Sequence, residues 1–464
     1  MRPVTSIPVR AIAAVTAGAL ALSPLAPAPV HAQDPASVLP IVRDAEIEQL
    51  LRDYAAPILH AAGLAQQNVK VVILNDRSFN AFVMDGRRIF INAGTLFQAK
   101  TPNEVIGVLA HETGHMAGGH LSRLREQMAR AQTASIIALL LGIGAAVGTA
   151  RVNGGGVGMG GLIAPQEVVR RSLLSYIRTQ EDQADHAGVK FLTASGQSAR
   201  GMSDTFKRLA DEMMFATRGI DPYVQTHPLP ADRVLALEQL AKASPYWDKK
   251  DPPELQLRHD LMRAKLSGFL DRADTVARRY PLSDQSLPAR YARAIATYRH
   301  ADLRVALEQI DGLIQAQPNN AYFYELKGQA LLEGGRAADA VAPLRHAVRL
   351  APNPSLIQIM LGQALIATDN KAFAEEAITL LKNAVVREPE APDAYAQLAM
   401  AYGKKGDLAQ ADLSSAQAAF ARGDLKTARQ LAARAKTRLP IGSPAWVRAD
   451  DLATVKAQPG SKTN

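Results

Sequence analysis

The chain has 464 residues, enough for two to four domains with ample buried core. It contains no cysteine, which excludes disulfides, a lipidated N-terminus and any zinc site built on thiolates. The formal charge of +9 comes from scattered Lys and Arg without a run of five or six, so a basic soluble surface is expected and no nucleic-acid partner.

Residues 1–32 read as a cleaved signal peptide. Arg2 and Arg10 form a basic start, Ala11–Leu22 is a short apolar run, and Val30-His31-Ala32 is a small-x-small cleavage site before Gln33. The run is too short for a membrane span and ends in proline-rich sequence. Losing the two arginines and no acids leaves +7 on 33–464. Export across a membrane is the expected fate.

Residues 33–250 are expected to form an α+β unit. Asp44–Leu64 has helical apolar spacing, and Val69–Leu74 is a β-branched run of strand type. Phe79–Met84 and Arg88–Asn92 flank Asp85-Gly86, a strong hairpin signal. Thr101-Pro102-Asn103-Glu104 predicts a helix start with Thr101 as N-cap, Pro102 at the first helical position and Glu104 closing a capping box. Thr133–Ala150 is uncharged and apolar, and Gly154–Gly161 is glycine-rich. Segment 133–170 is therefore expected to be a mobile or surface-lying element, with peripheral membrane contact through 133–150 left open. A second long helix is expected over Ser172–Ala194, stopping at Gly196.

A linker helix is expected over 251–280, and from Pro281 the composition shifts to alanine-rich helices with a 34-residue period. Ala294, Gly328 and Gly362 are equivalent, as are Pro318 and Pro352. Small residues Ala306 and Ala340 follow at fixed phase. A three-residue insertion then moves the next pair to Ala377 and Pro389. Ala399 and Ala411 continue a fourth unit, and Ala428 and Pro440 fit a terminal helix. Small residues let two helices approach, and proline ends the second. This is the pattern of tetratricopeptide repeats, expected over 281–464 as an all-α solenoid.

The chemistry lies in His111-Glu112-Thr113-Gly114-His115, an H-E-x-x-H motif. On a helix its histidines stand one turn apart on one face, so both can reach one Zn²⁺, while Glu112 can take a proton from water at the metal. The third ligand is less evident. Leu121 stands where a longer histidine motif would need its third His, and His120 lies off the ligand face and reads as structural. Glu181 and Asp185 are four apart on the second helix beside small Ala184 and Gly188, which allows close approach to the first. A solvated acidic pair is the bland alternative.

Together His111–His115, the E-x-x-A-D of Glu181–Asp185, and His227-Pro228-Leu229-Pro230-x-x-Arg233 resemble the HtpX-type gluzincin peptidases. The order of export signal, peptidase domain and repeats is similar to the soluble periplasmic branch of that family. The resemblance implies a zincin-like fold with His111, His115 and Glu181 as ligands of one Zn²⁺ per chain and Glu112 as base. It implies Asp185 as the group orienting a ligand histidine, with Arg233 beside it. It implies Asn80-Ala81-Phe82 as an edge-strand segment that pairs with extended substrate. His227 is either a fourth ligand that gates the site or a group acting in the transition state. The implied activity is a zinc endopeptidase in quality control or assembly of outer-membrane proteins, with unfolded outer-membrane proteins or their assembly machinery recruited by the repeats. The rival is a chaperone or scaffold with vestigial peptidase activity.

Overall fold

The computed structural model describes residues 39–129, 160–215, 223–224, 227–368 and 370–455. The expected signal peptide, and the apolar and glycine-rich stretch up to residue 159, lie outside the described residues.

The N-terminal part is a small sheet packed against helices. β1 (Ile41–Val42) leads into α1 (Ala45–Ala61), whose N-cap Asp44 accepts a hydrogen bond from Ile47 N. The helix stops short of Leu64 because Gly63, at φ +73°, turns the chain back. β2 (Lys70–Leu74), β3 (Ala81–Asp85) and β4 (Arg88–Asn92) follow, and the sheet order is β1-β2-β4-β3. β3 and β4 are the expected hairpin, with an irregularity between Val83 and Asp85, and β2 runs parallel to β4. Ile89, Phe90 and Ile91 of the interior strand β4 are all fully buried. β3 is left at the sheet edge.

After the short α2 (Ala93–Gln98), α3 (Pro102–Ala117) carries the H-E-x-x-H motif. Thr101 caps it, accepting from Glu104 N, and Pro102 opens it as expected. The capping box does not close. One Glu104 oxygen accepts from Lys100 N and the other pairs with Arg208 at 2.9 Å, so a tertiary ion pair takes the carboxylate. α4 (Gly160–Ala194) begins twelve residues before the predicted Ser172, so the 160–170 part of the expected mobile segment is helical. It ends as predicted before Gly196, at φ +68°. α5 (Arg200–Phe215) and α6 (Ala231–Lys242) complete this part.

α3 is clasped on two sides through glycine. A Cβ on Gly114 would lie 2.7 Å from Ala184 O of α4, and one on Gly107 would lie 2.6 Å from Met202 Cα of α5. Gly188 returns the contact, its Cβ position 3.3 Å from Ala110 C. Backbones this close admit no larger residue, which fixes where His111 and Glu181 face each other.

The expected linker helix is two helices, α7 (Pro253–Leu270) and α8 (Ala273–Arg279). α7 belongs to two cores. Met262 and Leu266 pack with α1 and α3, whereas Leu261 and Ala264 pack with the repeat helices. The array then pairs α9 (Leu287–His300) with α10 (Leu303–Ala316), α11 (Ala321–Glu333) with α12 (Ala337–Leu350), and α13 (Ser355–Ala367) with α14 (Ala374–Arg387). α15 (Pro392–Lys405) with α16 (Leu408–Ala421), then α17 (Leu425–Lys436) and α18 (Pro444–Thr454), close it. The small-residue phase has its physical reason here. A Cβ on Gly328 or Gly362 would strike Leu344 or Leu381 of the partner helix at 2.3 or 2.8 Å. The three-residue insertion is a 3₁₀ turn, Lys371–Phe373. No helix among the described residues is long and apolar enough to cross a membrane.

Candidate metal centre

α3 contributes His111, Glu112 and His115, α4 contributes Glu181 and Asp185, the segment before α6 contributes His227, and α6 contributes Arg233. One ligand atom from each of His111, His115, Glu181 and His227 falls within a 4.8 Å sphere of mutual distances. His111 Nε2 is 3.0 Å from His115 Nε2 and 3.5 Å from Glu181 Oε2, and His115 Nε2 is 3.3 Å from Glu181 Oε1. His227 Nδ1 is 3.4 Å from His111 Nε2 and 3.0 Å from Glu181 Oε2. Ligand bonds of about 2.0–2.1 Å in a tetrahedron place ligand atoms about 3.3 Å apart, so four nitrogens and oxygens at these separations fit a single small cation.

Behind the cluster His111 is backed by a carboxylate. Asp185 Oδ1 lies 2.9 Å from His111 Nδ1, which turns Nε2 toward the other ligands. Arg233 fixes that carboxylate in a fork, Nε and Nη2 donating to its two oxygens at 2.7 and 2.9 Å. The same guanidinium reaches Glu181 Oε2 at 3.0 Å and donates to Pro228 O, tying the His227 segment to α6.

Burial and charge compete throughout the site. Burial alone would lower the His111 imidazole; hydrogen bonds and charges from Asp185 and Glu181 reverse this and raise it to about 9. His115, with burial dominant, is lowered to about 3. Glu181 is also desolvated, yet His227, His111 and His115 hold it well below the usual carboxylate range. Burial pushes Glu112 up. Among the described residues neither Glu112 oxygen has a hydrogen-bond partner, and His227 Nε2 lies 3.7 Å away. An orphaned buried carboxylate beside four convergent ligand atoms is what a metallopeptidase base requires.

His120, read from the sequence as structural and off the ligand face, and Tyr223, which no motif marks, both border the site. His120 does not stand apart: its Nδ1 lies 3.0 Å from His115 Nδ1. Tyr223 stacks on His227 at 4.5 Å and is buried against Phe79 and Phe206. The first histidine after H-E-x-x-H was visible as His120 itself, and no sequence spacing marks Tyr223. Ala81 and Phe82 lie on the edge strand β3 and Asn80 immediately precedes it; Asn80 O accepts from Asn92 N and Phe82 stacks on Phe90.

The model of peptidase family M48 matches residues 42–241, spanning all of these residues. Residues 42–241 are an M48 metallopeptidase domain. A tetratricopeptide-repeat model matches residues 291–353. The chain is homologous to beta-barrel assembly-enhancing proteases. It is 24% identical to that of Yersinia pestis and 22% identical to that of Escherichia coli, in each case over 89% of this chain and 83% of the relative. A Vibrio cholerae protein provisionally given the same name is 28% identical over 62% of this chain, and the match spans 59% of that relative. M48 peptidases are metal-dependent, and the His/Glu cluster of this M48 domain fits a metal site.

Proposed function

We propose that the chain is a zinc-dependent endopeptidase of the periplasm, acting in quality control or assembly of outer-membrane proteins and holding unfolded clients through its repeats. The observation that carries the reading is the convergence of one ligand atom each from His111, His115, Glu181 and His227, all within 4.8 Å of one another, beside a buried, unpartnered Glu112. Nitrogen and carboxylate donors without sulfur suit Zn²⁺, which when bound polarises a peptide carbonyl and lowers the pKa of water. Glu112, raised by burial, is placed to accept the proton of the attacking water and return it to the leaving amine. Asp185 and Arg233 hold His111 and Glu181 in register.

β3, at the sheet edge, offers its outer main chain to a substrate strand, which suits a peptidase that accepts many sequences. Arg125 Nη2 donates to Met84 O at 3.4 Å on this strand, so a substrate pairing along its whole length displaces that contact. His227 takes the corner that substrate or water needs, and in this reading it leaves when a client arrives. We take 33–250 as the peptidase unit, 251–280 as connecting helices and 281–464 as the repeat array. The removal of 1–32 as an export signal belongs to the same proposal.

The experiment is a Glu112→Gln protein expressed in cells with a crosslinker. It should retain zinc, lose peptide hydrolysis by about 100-fold or more, and trap outer-membrane proteins. Wild-type hydrolysis rates in the variant would sink the peptidase assignment. Unchanged client maturation alongside lost hydrolysis would favour the chaperone reading.

A further inference from the structure

We propose that His120 is a positioning residue that fixes the tautomer of His115, so that the two histidines of H-E-x-x-H are oriented by chemically different partners. The inference rests on the metal reading of the site and extends it. His115 directs Nε2 into the cluster, 3.0 Å from His111 Nε2 and 3.3 Å from Glu181 Oε1. A ligand Nε2 must present its lone pair, so the proton of the neutral ring sits on Nδ1. That atom has His120 Nδ1 3.0 Å away, which must therefore accept. With Nδ1 accepting, neutral His120 carries its own proton on Nε2.

His115 is thus backed by the His120 ring, where His111 has instead the carboxylate of Asp185 and the Arg233 fork. Outer partners of this kind set ring orientation and ligand basicity. An anion behind His111 and a neutral imidazole behind His115 make the two ligands unequal.

Three further features hold the His120 ring. It is 3% exposed, its main-chain oxygen accepts from Gln180 Nε2 at 3.3 Å, and it lies over Gly118. A Cβ on Gly118 would stand 2.3 Å from His120 Nε2. Gly118 has φ −71°, a conformation any residue adopts, so the ring alone demands glycine there.

Three single variants of the full chain test this, with zinc affinity measured by competition with a chromophoric chelator and with melting of the metal-free proteins as a fold control. His120→Ala should weaken zinc binding about 10–100-fold. Gly118→Ala should weaken it in the same direction by pushing the ring aside, without touching any ligand. His120→Asn, whose Oδ1 takes the place of Nδ1 and can only accept, should stay within about threefold of wild type. Unchanged affinity in His120→Ala overturns the proposal. So does an Asn variant as weak as the Ala variant, since packing rather than the accepted hydrogen bond would then be the cause. If wild-type protein itself binds no zinc, the metal reading falls and this inference with it.

Discussion

Glu325 is expected to make the protein less stable as pH rises, and its replacement by Gln should remove that loss. The side chain comes from α11 into a buried cluster that joins the M48 domain to the repeats. Lys265 of α7 places its Nζ 2.8 Å from Asp44, 3.3 Å from Glu46 and 3.6 Å from Glu325, while Tyr291 donates to Glu46 at 2.9 Å. Three carboxylates share one ammonium, and Glu325 Oε2 has no hydrogen-bond partner. Burial, only partly offset by Lys265 and aggravated by Asp44 and Glu46, pushes the Glu325 carboxyl from 4.5 to about 8. Glu46 is pushed up too.

The folded state therefore keeps a proton that the unfolded chain loses near pH 4.5. Stability is fully present below that value and falls as pH rises toward about 8. At about 1.4 kcal/mol per pH unit, the shift sets a ceiling of about 5 kcal/mol; sharing of Lys265 with Glu46 reduces the expected loss to about 2–5 kcal/mol. Gln is isosteric with the protonated acid and cannot ionise. Urea denaturation of wild type and Glu325→Gln from pH 5 to 9 should give proteins within about 1 kcal/mol at pH 5, with the variant gaining about 2–5 kcal/mol by pH 9. Contributions from titrating groups remote from the Lys265 cluster cancel in the difference. A difference independent of pH, or one that favours Glu at high pH, would mean that Glu325 is ionised throughout, and the argument fails.

Glu181→Ala should lose most of its zinc, measured by metal analysis after dialysis; full occupancy would remove Glu181 from the ligand set. Gly114→Ala drives a methyl to within 2.7 Å of Ala184 O, and separating α3 from α4 should cost about 1–3 kcal/mol and weaken zinc binding. Unchanged melting in that variant would contradict the close helix contact. His227→Ala should cleave a generic unfolded substrate, and itself, faster than wild type. A slower enzyme at equal zinc content would assign His227 to the transition state and reject the gate.

Cutting the chain at residue 281 removes no metal motif, because all of them precede residue 234. α7 makes it costly. Its Leu261 and Ala264 face α9 and α11, Gly268 fits directly under Ile295, and Lys265 would lose Glu325. A Cβ at Gly268 would lie 2.7 Å from Ile295 Cβ. The repeats thus share a core with the helix that supports α1 and α3.

Local features were decided by the sequence itself. The spacing of His111 and His115 on one helix face, the Thr101 and Pro102 start, the β3–β4 hairpin and the 34-residue small-residue phase all depend on neighbours within a turn, a hairpin or a repeat. Periodicity and capping express such short-range constraints directly. What depended on distant partners was not legible. Glu104 could close its own cap until Arg208, 104 residues on, claimed it. His120 reads as off the ligand face by helical angle, yet the break at Gly119, at φ +63°, swings its ring back beside His115. Tyr223 stacks on His227 and Glu325 meets Lys265 only after helices far apart in sequence have packed. Side-chain pairing across such separations is set by the packing of whole elements, and only the tertiary structure specifies that.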